Sequence, residues 1–356
     1  MTPKEDGRWA DLARFVMRKP LTITILTLIL LSILAAPIRN IAFGQTDVTV
    51  LPKTHPVAQT SQIIDERFPG REATPVEFLF IDGESKVSTE EIAAYKESVR
   101  RVAGITHITE NSSANGIIRF QAIHKMSPRT SDAQRLINEI RKLPAPEGLL
   151  IGGVAADYTD TQNGIAGALP LALGWVLLSV LILLFAFTGS IILPIKAIVL
   201  NVLSLSATLG VITWIFIEGN LAKYLGDFTI TGTVDTGMII LMLLTTFGLS
   251  MDYEVFLLSR IKEEYEKTRN NTESVAFGLQ KSARIVTAAA LILSVVFAAF
   301  IISGVTSIKI LGLGVAFAIL LDATVVRALL VPALMRMFGD ANWWAPAKLK
   351  RLSISH

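Results

Sequence analysis

The sequence predicts an α-helical membrane protein with one polar α+β domain inserted between its first two spans. Of the 356 residues, 51% are hydrophobic and only 18% are charged, a balance typical of chains that lie mostly in hydrocarbon. The charges are unevenly placed, because residues 43–165 hold more than half of the acidic side chains. These observations argue against an ordinary soluble protein, and a net charge of +3 gives no sign of nucleic-acid binding.

Six apolar windows are long enough to cross a bilayer as helices, which takes about 20 residues each. The first window is followed by Ala35 and Ala36 and so also resembles a cleaved signal peptide, but its long polar lead favours a retained helix. The windows lie at about 20–41, 168–187, 195–217, 236–259, 285–303 and 308–330. The predicted organisation is an N-terminus and first helix over 1–42, a polar domain over 43–165, a five-helix bundle over 166–337 and a tail over 338–356.

Basic residues indicate how the chain lies in the membrane. They are concentrated before the first span, between the fourth and fifth spans, and after the sixth, as at Arg8, Lys262 and Arg336. Short cytoplasmic segments are enriched in lysine and arginine, so both termini of this multi-pass protein are predicted to be cytoplasmic. The polar domain is then extracytoplasmic.

The polar domain alternates predicted strands with amphipathic helices. Ser88 and Glu91 have the spacing of a capping box and open a helix that runs to about Ala103. The order strand, helix, strand, strand, helix, strand is that of a ferredoxin-like domain. The strands are expected at 76–81, 105–110, 117–124 and 148–154, the second helix at 128–143, and a preceding helix at 55–68.

Nothing in the polar domain predicts catalysis or a bound metal. The chain has no cysteine, which excludes disulfides and thiolate sites, and its four histidines are scattered. Asp157 and Asp160 are interpreted as solvated loop acids rather than metal ligands, and His124 as an edge or packed residue. No cofactor and no enzymatic activity are predicted.

Ionisable residues inside the predicted spans are the strongest functional signal, because a charge at mid-depth in a bilayer costs at least a few kcal/mol. In the fourth span, Asp252 lies about two helical turns from Arg260, with Tyr253 and Glu254 beside it. A desolvated carboxyl at this depth can take up and release a proton in a working cycle. We therefore expect Asp252 to carry protons and Tyr253 to hydrogen-bond to a carboxylate on another helix.

The sixth span adds Asp322 and, nearer its end, Arg327. Residues five apart do not share a face of an α-helix well, so the two need not pair, and either could meet Asp252, Glu254 or Arg260 across the bundle. The alternative is a structural ion pair between helices, or an arginine that reaches the membrane surface. A third hypothesis, a protease-like pair of Asp252 and Asp322, has the least support because the chain lacks the second motif that such chemistry needs.

Three long stretches carry a resemblance to a known family, namely GLSMDYEVFLLSRIKEEYEK, LLPIKAIVLNVLSLSATLGVITWIF and LDATVVRALLVPALMRMFGDANWWAP. They resemble, in that order, the fourth helix, the third helix and the closing segment of the second half-repeat in the MmpL branch of the resistance-nodulation-division transporters. The resemblance implies a porter-type outer domain and proton-driven export of lipids or other amphiphiles from a bacterial plasma membrane. It implies a proton relay at Asp252 and Tyr253, supported by Glu254, Arg260, Asp322 and Arg327.

The chain departs from the family pattern in carrying one repeat, whereas a typical member has two, each with a DY pair. The missing relay partner could come from a second copy of this chain, from a separately encoded first half, or from the rest of a longer protein. The expected partners are thus membrane lipids or an amphiphilic substrate, and a homo-oligomer or a complementary half-transporter. A non-transporting subunit that holds a partner protein or lipid with its outer domain is the alternative function.

Overall fold

The computed structural model describes residues 7–67, 73–81, 88–110, 112–114, 116–226 and 228–346. Within these ranges six helices are long and apolar enough to cross a membrane, which confirms the six predicted spans. Residues 1–6 of the predicted N-terminal segment and 347–356 of the predicted tail lie outside the described ranges, as do Phe68 and the stretch that follows it to residue 72. The spans are Pro20–Asn40, Val154–Thr188, Ile192–Ile217, Thr236–Thr268, Asn271–Ile302 and Thr306–Trp343.

The chain divides into two compact units. The bundle unit takes in the N-terminal stretch up to Ile41, Ala172–Ile230 and the chain from Gly237 on. The polar unit consists of Ala42–Leu171 and Thr231–Thr236. In chain order the α-helices are α1 (Arg8–Arg18), α2 (Pro20–Ala35), α3 (Pro56–Arg67), α4 (Thr89–Arg100), α5 (Ser131–Arg141), α6 (Val154–Thr188), α7 (Ile192–Ile212), α8 (Thr236–Thr268), α9 (Asn271–Ala298), α10 (Thr306–Leu321) and α11 (Val331–Phe338).

The strands are β1 (Phe43–Gly44), β2 (Val76–Ile81), β3 (Ile105–Ile108), β4 (Ser112–Ala114), β5 (Ile117–His124), β6 (Leu149–Gly152) and β7 (Val234–Asp235). The polar unit is built on antiparallel strands in the order β3-β5-β2-β6, with β4 paired to β5. Helix α4 begins with the predicted capping box, in which the Ser88 side chain accepts from the Glu91 amide while the Glu91 side chain accepts from the Ser88 amide. Strand β4 lies between the two strands expected at 105–110 and 117–124.

The two faces of this sheet differ because side chains alternate along a strand. Phe78 of β2 stacks on Phe120 of β5, with ring centroids 4.6 Å apart, in the core beneath α4 and α5. On the opposite face Arg119 donates two hydrogen bonds to Glu77, each 2.9 Å long. These bonds lower the pKa of the Glu77 carboxyl. His124 is fully buried, in agreement with its interpretation as a packed residue.

The two aspartates interpreted as loop acids lie in a helix instead. Asp157 and Asp160 belong to the first turns of α6, which begins at Val154. The Asp160 carboxylate accepts two hydrogen bonds from Arg141, at 2.5 and 2.9 Å. The sequence interpretation placed the start of this helix too late, because an apolar window marks only the part of a helix that suits hydrocarbon.

The fourth and fifth spans also extend beyond their apolar windows, so that only Arg269 and Asn270 separate α8 from α9. The polar end of α8 carries pairs of opposite charge one turn apart, such as Lys267 with Glu263 at 2.9 Å. The Asn270 side chain accepts from the first free amides of α9 and caps it. Charge pairing and capping therefore continue the helices where hydrophobicity ends.

Helix α1 is amphipathic and lies within the polar lead of the first span. Its apolar side buries Ala10, Ala13, Val16 and Met17. The Ala10 amide near its start donates to Gln280 of α9 at 3.1 Å. The polar lead is thus a packed helix of the bundle unit.

Two helices of the bundle approach each other at a glycine. A Cβ atom added at Gly210 of α7 would lie 2.1 Å from the Leu34 carbonyl oxygen and 2.7 Å from Ala35 Cα, both in α2. A methyl group there must push two backbones apart. Gly248 of α8, by contrast, has no atom within 4 Å of an added Cβ.

We expect Gly210→Ala to lower the stability of the bundle by about 1–3 kcal/mol, the usual cost of overpacking. The matched control is Gly248→Ala, which introduces the same methyl group into open space and removes the flexibility of a helical glycine. Thermal unfolding of the two purified variants, followed by circular dichroism, measures the difference. Equal midpoints for both variants would contradict the close approach of α2 and α7.

Candidate functional site

A buried ion pair lies in the last span of the bundle. The Arg327 Nε atom donates to Asp322 Oδ2 at 2.8 Å. Both side chains are almost completely buried, with 3% and 8% of their surface exposed. Charges at this depth are retained only when they are paired and hydrogen-bonded, so the pair is a central feature of the bundle.

The pair contradicts the expectation that these two residues would not share a helix face. Residues Asp322–Leu330 form a π-helix between α10 and α11. In a π-helix the hydrogen bonds run from residue i to i+5, so positions five apart lie over one another. The widened turn therefore brings Arg327 back onto Asp322. An argument from ideal α-helical spacing could not have found this pair.

Ser250 of α8 connects the ion pair to a second helix. Its hydroxyl donates to Asp322 Oδ2 at 2.9 Å. Arg327 Nη2 donates to the carbonyl oxygen of the same serine. The guanidinium also lies over the Tyr253 ring, 5.3 Å from its centroid, where the negative face of the ring attracts the cation. The last span and α8 are thus joined by polar contacts through one buried cluster.

Glu254 is the second buried acid of this region. It is 5% exposed, and its Oε1 atom has no hydrogen-bond partner among the described residues. It lies one helical turn from Ser250, on the same buried face of α8. An acid so placed is stabilised in water-free surroundings by nearby cations or by carrying a proton itself.

Two of the six predicted site residues, Asp252 and Arg260, lie outside the buried cluster. Asp252 is exposed on the surface of α8, as expected for a neighbour turned about 100° from a residue that points inward. Arg260 donates to Glu263 on its own helix at 2.9 Å and lies over the Phe256 ring. The bundle thus brings together Tyr253, Glu254, Asp322 and Arg327, and leaves Asp252 and Arg260 outside this cluster.

Sequence reasoning missed Ser250 and Lys196. Lys196 of α7 is 7% exposed, and its ammonium lies 2.8 Å from Met335 Sδ and 3.0 Å from Asn342 Oδ1. A lysine inside the apolar run LPIKAIVL is itself a signal, since ionisable groups in spans are rare. No comparable signal marks Ser250, because serines are common in membrane helices.

Comparison with known proteins identifies the family of this chain. Residues 49–353 match the MMPL family. The chain belongs to the MMPL family. It is 34% identical to the probable trehalose monomycolate exporter MmpL3 of Mycobacterium leprae (strain TN), over 96% of this chain and 37% of that protein. It is 33% identical to the mycolic acid-containing lipids exporter MmpL11 of Mycolicibacterium smegmatis, over 97% and 37%.

The chain spans less than half the length of the curated MMPL relatives that it matches. Among solved structures it is similar to SecDF, crystallised in a super-membrane-facing form. That similarity has a TM-score of 0.46 and 15% identity, and it covers 91% of this chain and 38% of SecDF.

The buried pair predicts a strongly non-additive response to mutation. Arg327→Met alone should destabilise the bundle by about 3–5 kcal/mol, since it leaves the Asp322 carboxylate buried without its cation. The double variant Arg327→Met with Asp322→Asn should recover much of that loss because no net charge then remains buried. Thermal unfolding of the single and double variants measures the coupling.

Arg260→Met is the matched control for that experiment. Arg260 is 43% exposed in its side chain and pairs with Glu263 along one helix, so its loss should cost about 0–1 kcal/mol. Additive effects of the Asp322 and Arg327 substitutions would show that the two charges do not stabilise one another.

Proposed function

We propose that this chain acts in the proton-driven export of a lipid or another amphiphile, as an exporter or as a half-transporter subunit of one. The observation that supports this most directly is the buried cluster of Asp322, Arg327 and Glu254 in a membrane bundle of the MMPL family. Buried ionisable groups in a span are costly, and in transporters they mark proton pathways. A helix bundle alone needs no such charges.

The substrate class follows from the relatives. Two of them are named as exporters of trehalose monomycolate and of mycolic acid-containing lipids. We propose that the substrate of this chain also combines a polar head with long apolar chains. No enzymatic step belongs to this proposal, and protons are its only cofactor.

We further propose that the polar unit is a ferredoxin-like, porter-type domain on the extracytoplasmic side. Its support is the strand order β3-β5-β2-β6. A ferredoxin-like domain places its first and third strands (here β2 and β5) in the centre of the sheet and its second and fourth strands (here β3 and β6) at the edges. The basic residues before the first span and at the adjoining ends of α8 and α9 support cytoplasmic termini, and with them this orientation.

The exposed position of Asp252 supports the proposal that this chain packs against a second repeat. Its side chain is exposed on α8, within a helix long and apolar enough to span a membrane. A carboxylate that faces lipid is costly, so we propose that a second repeat covers this face. The protonation of Asp252 would then depend on that repeat and would favour one packing of the two over another.

This proposal predicts that Asp252→Asn abolishes export without lowering the amount of folded protein in the membrane. Proton release is measured in inverted bacterial vesicles that carry the chain and a pH-sensitive dye, on addition of trehalose monomycolate. The control is Glu263→Gln, because Glu263 lies on the same helix but pairs with Arg260 and Lys267 at its polar end. Substrate-dependent proton release in Asp252→Asn at the wild-type rate would remove Asp252 from the mechanism.

The second repeat can be identified by cross-linking, because the chain contains no cysteine of its own. If a second copy covers α8, Asp252→Cys should give a cross-linked dimer under mild oxidation. Ile292→Cys, on the exposed side of α9, should not. A monomer in both cases, with the protein folded, would mean that a different chain or segment supplies the second repeat.

A further inference from the structure

The sheet of the polar unit has a second face, opposite the one that packs beneath α4 and α5. Side chains alternate along each strand, so this face carries the residues that lie between the core positions of β2, β5 and β6. We call it the open face. Its members are Glu77, Leu79 and Ile81 of β2, Ile117, Arg119 and Gln121 of β5, and Leu150 of β6.

The open face is apolar at one end. Ile81 pairs with Ile117, and in the neighbouring row Leu79 pairs with Leu150. Ile81, Ile117 and Leu150 are between 39% and 52% exposed. Three such side chains present roughly 100–200 Å² of apolar surface, whereas a stable protein interface buries about 800 Å² on each partner. The patch is therefore large enough for part of an alkyl chain and too small to hold another protein by itself.

The other end of the open face forms hydrogen bonds without carrying a net charge. Glu77 accepts two hydrogen bonds from Arg119 and one from Gln121 Nε2, the last at 2.8 Å. The bonds from Arg119 hold the pKa of the Glu77 carboxyl below its usual range, so the two groups stay ionised together. Both remain accessible, since the Arg119 side chain is half exposed and Gly152 of β6 adds no side chain beside Glu77.

A paired guanidinium and carboxylate suit a neutral, hydroxylated ligand. Arginine only donates hydrogen bonds and an ionised carboxylate only accepts them, whereas a hydroxyl group does both and can bond to the two at once. An anionic ligand would be attracted by Arg119 but repelled by Glu77. Residues two apart on a strand are about 7 Å apart, so Glu77 and Ile81 lie about 13 Å from one another. One amphiphile can reach both ends.

We propose that the open face of the polar unit binds a neutral, hydroxylated amphiphile, with its head on the hydrogen-bonding end and part of its alkyl chain on the apolar end. The inference rests on the proposed function, and it gives the exported amphiphile a site in the polar unit. The head is selected by hydrogen bonds from and to one ion pair, and the chain by burial of the aliphatic side chains.

Photolabelling of the purified full chain in lipid nanodiscs tests the site. The probe is trehalose monolaurate with a diazirine group in its alkyl chain, and mass spectrometry identifies the labelled residues. We expect labels on Ile81, Ile117 or Leu150. Unmodified trehalose monolaurate should compete for the site, and dodecyl phosphate should compete about tenfold less well because its head meets the Glu77 carboxylate.

Two variants and their matched controls examine the two ends of the face. Arg119→Met should weaken labelling about tenfold, since the head loses a charged hydrogen-bond donor. Arg135→Met is its control, because Arg135 lies on α5 and pairs with Asp132. Leu150→Asn should weaken labelling about fivefold through lost apolar contact. Ile63→Asn, at a similarly exposed position of α3, should leave it unchanged.

Leu150→Asn keeps the test decisive if Arg119→Met does not fold, because it changes an exposed side chain. Undiminished labelling of the open face in Leu150→Asn overturns the proposal, and so does stronger competition by dodecyl phosphate. A disulfide-linked dimer formed through Leu150→Cys, with no labelling of the wild type, would show that a second copy occupies the face instead.

Labelling needs no proton gradient, which separates this inference from the proposed function. An unlabelled open face, together with loss of export in Asp252→Asn, would refute the site and leave the proton-driven exporter standing. A labelled open face, together with normal export by Asp252→Asn, would support the site and count against the proposed proton mechanism.

Discussion

The last span and α8 depend on one buried ion pair for their registration. Asp322 and Arg327 can be buried only together, and each also bonds to Ser250. Such an assembly tolerates little sliding, because a shift of either helix would leave a charge unpaired in a dry interior. Apolar packing alone allows more freedom, since side chains of similar size can replace one another along a helix surface. The polar cluster therefore fixes which residues of α8 face the last span.

That registration assigns different roles to adjacent residues of α8. With Ser250 held by the ion pair, Tyr253 lies beneath the guanidinium and Glu254 is buried in the interior of the bundle. Asp252 is then turned to the outer surface. Three consecutive residues thus have different surroundings: Asp252 faces outward, Tyr253 faces the Arg327 cation, and Glu254 lies in the interior. One helix can in this way connect groups inside a repeat with groups outside it.

The polar unit was predictable because its signals are local. The capping box at Ser88 and Glu91, and the alternation of apolar and polar residues in VEFLFI, depend on residues within one turn or one strand. The start of α6 was not predictable from its apolar window. There the first turns of the helix are polar, and the Asp160 carboxylate bonds to Arg141 of a different helix. A contact between residues so far apart in sequence leaves no periodic trace.

The sequence by itself determined the six spans, the polar insertion and the identity of four residues of the cluster, because hydrophobicity and rare charges in spans are properties of single residues or short windows. It also directed attention to Asp252 and Arg260, which the tertiary structure placed outside the cluster. Only the tertiary structure decided that Asp322 pairs with Arg327 and that Ser250 joins them. The physical reason is that a π-helical turn and the rotation of α8 are set by packing and by the cost of leaving a buried charge unpaired.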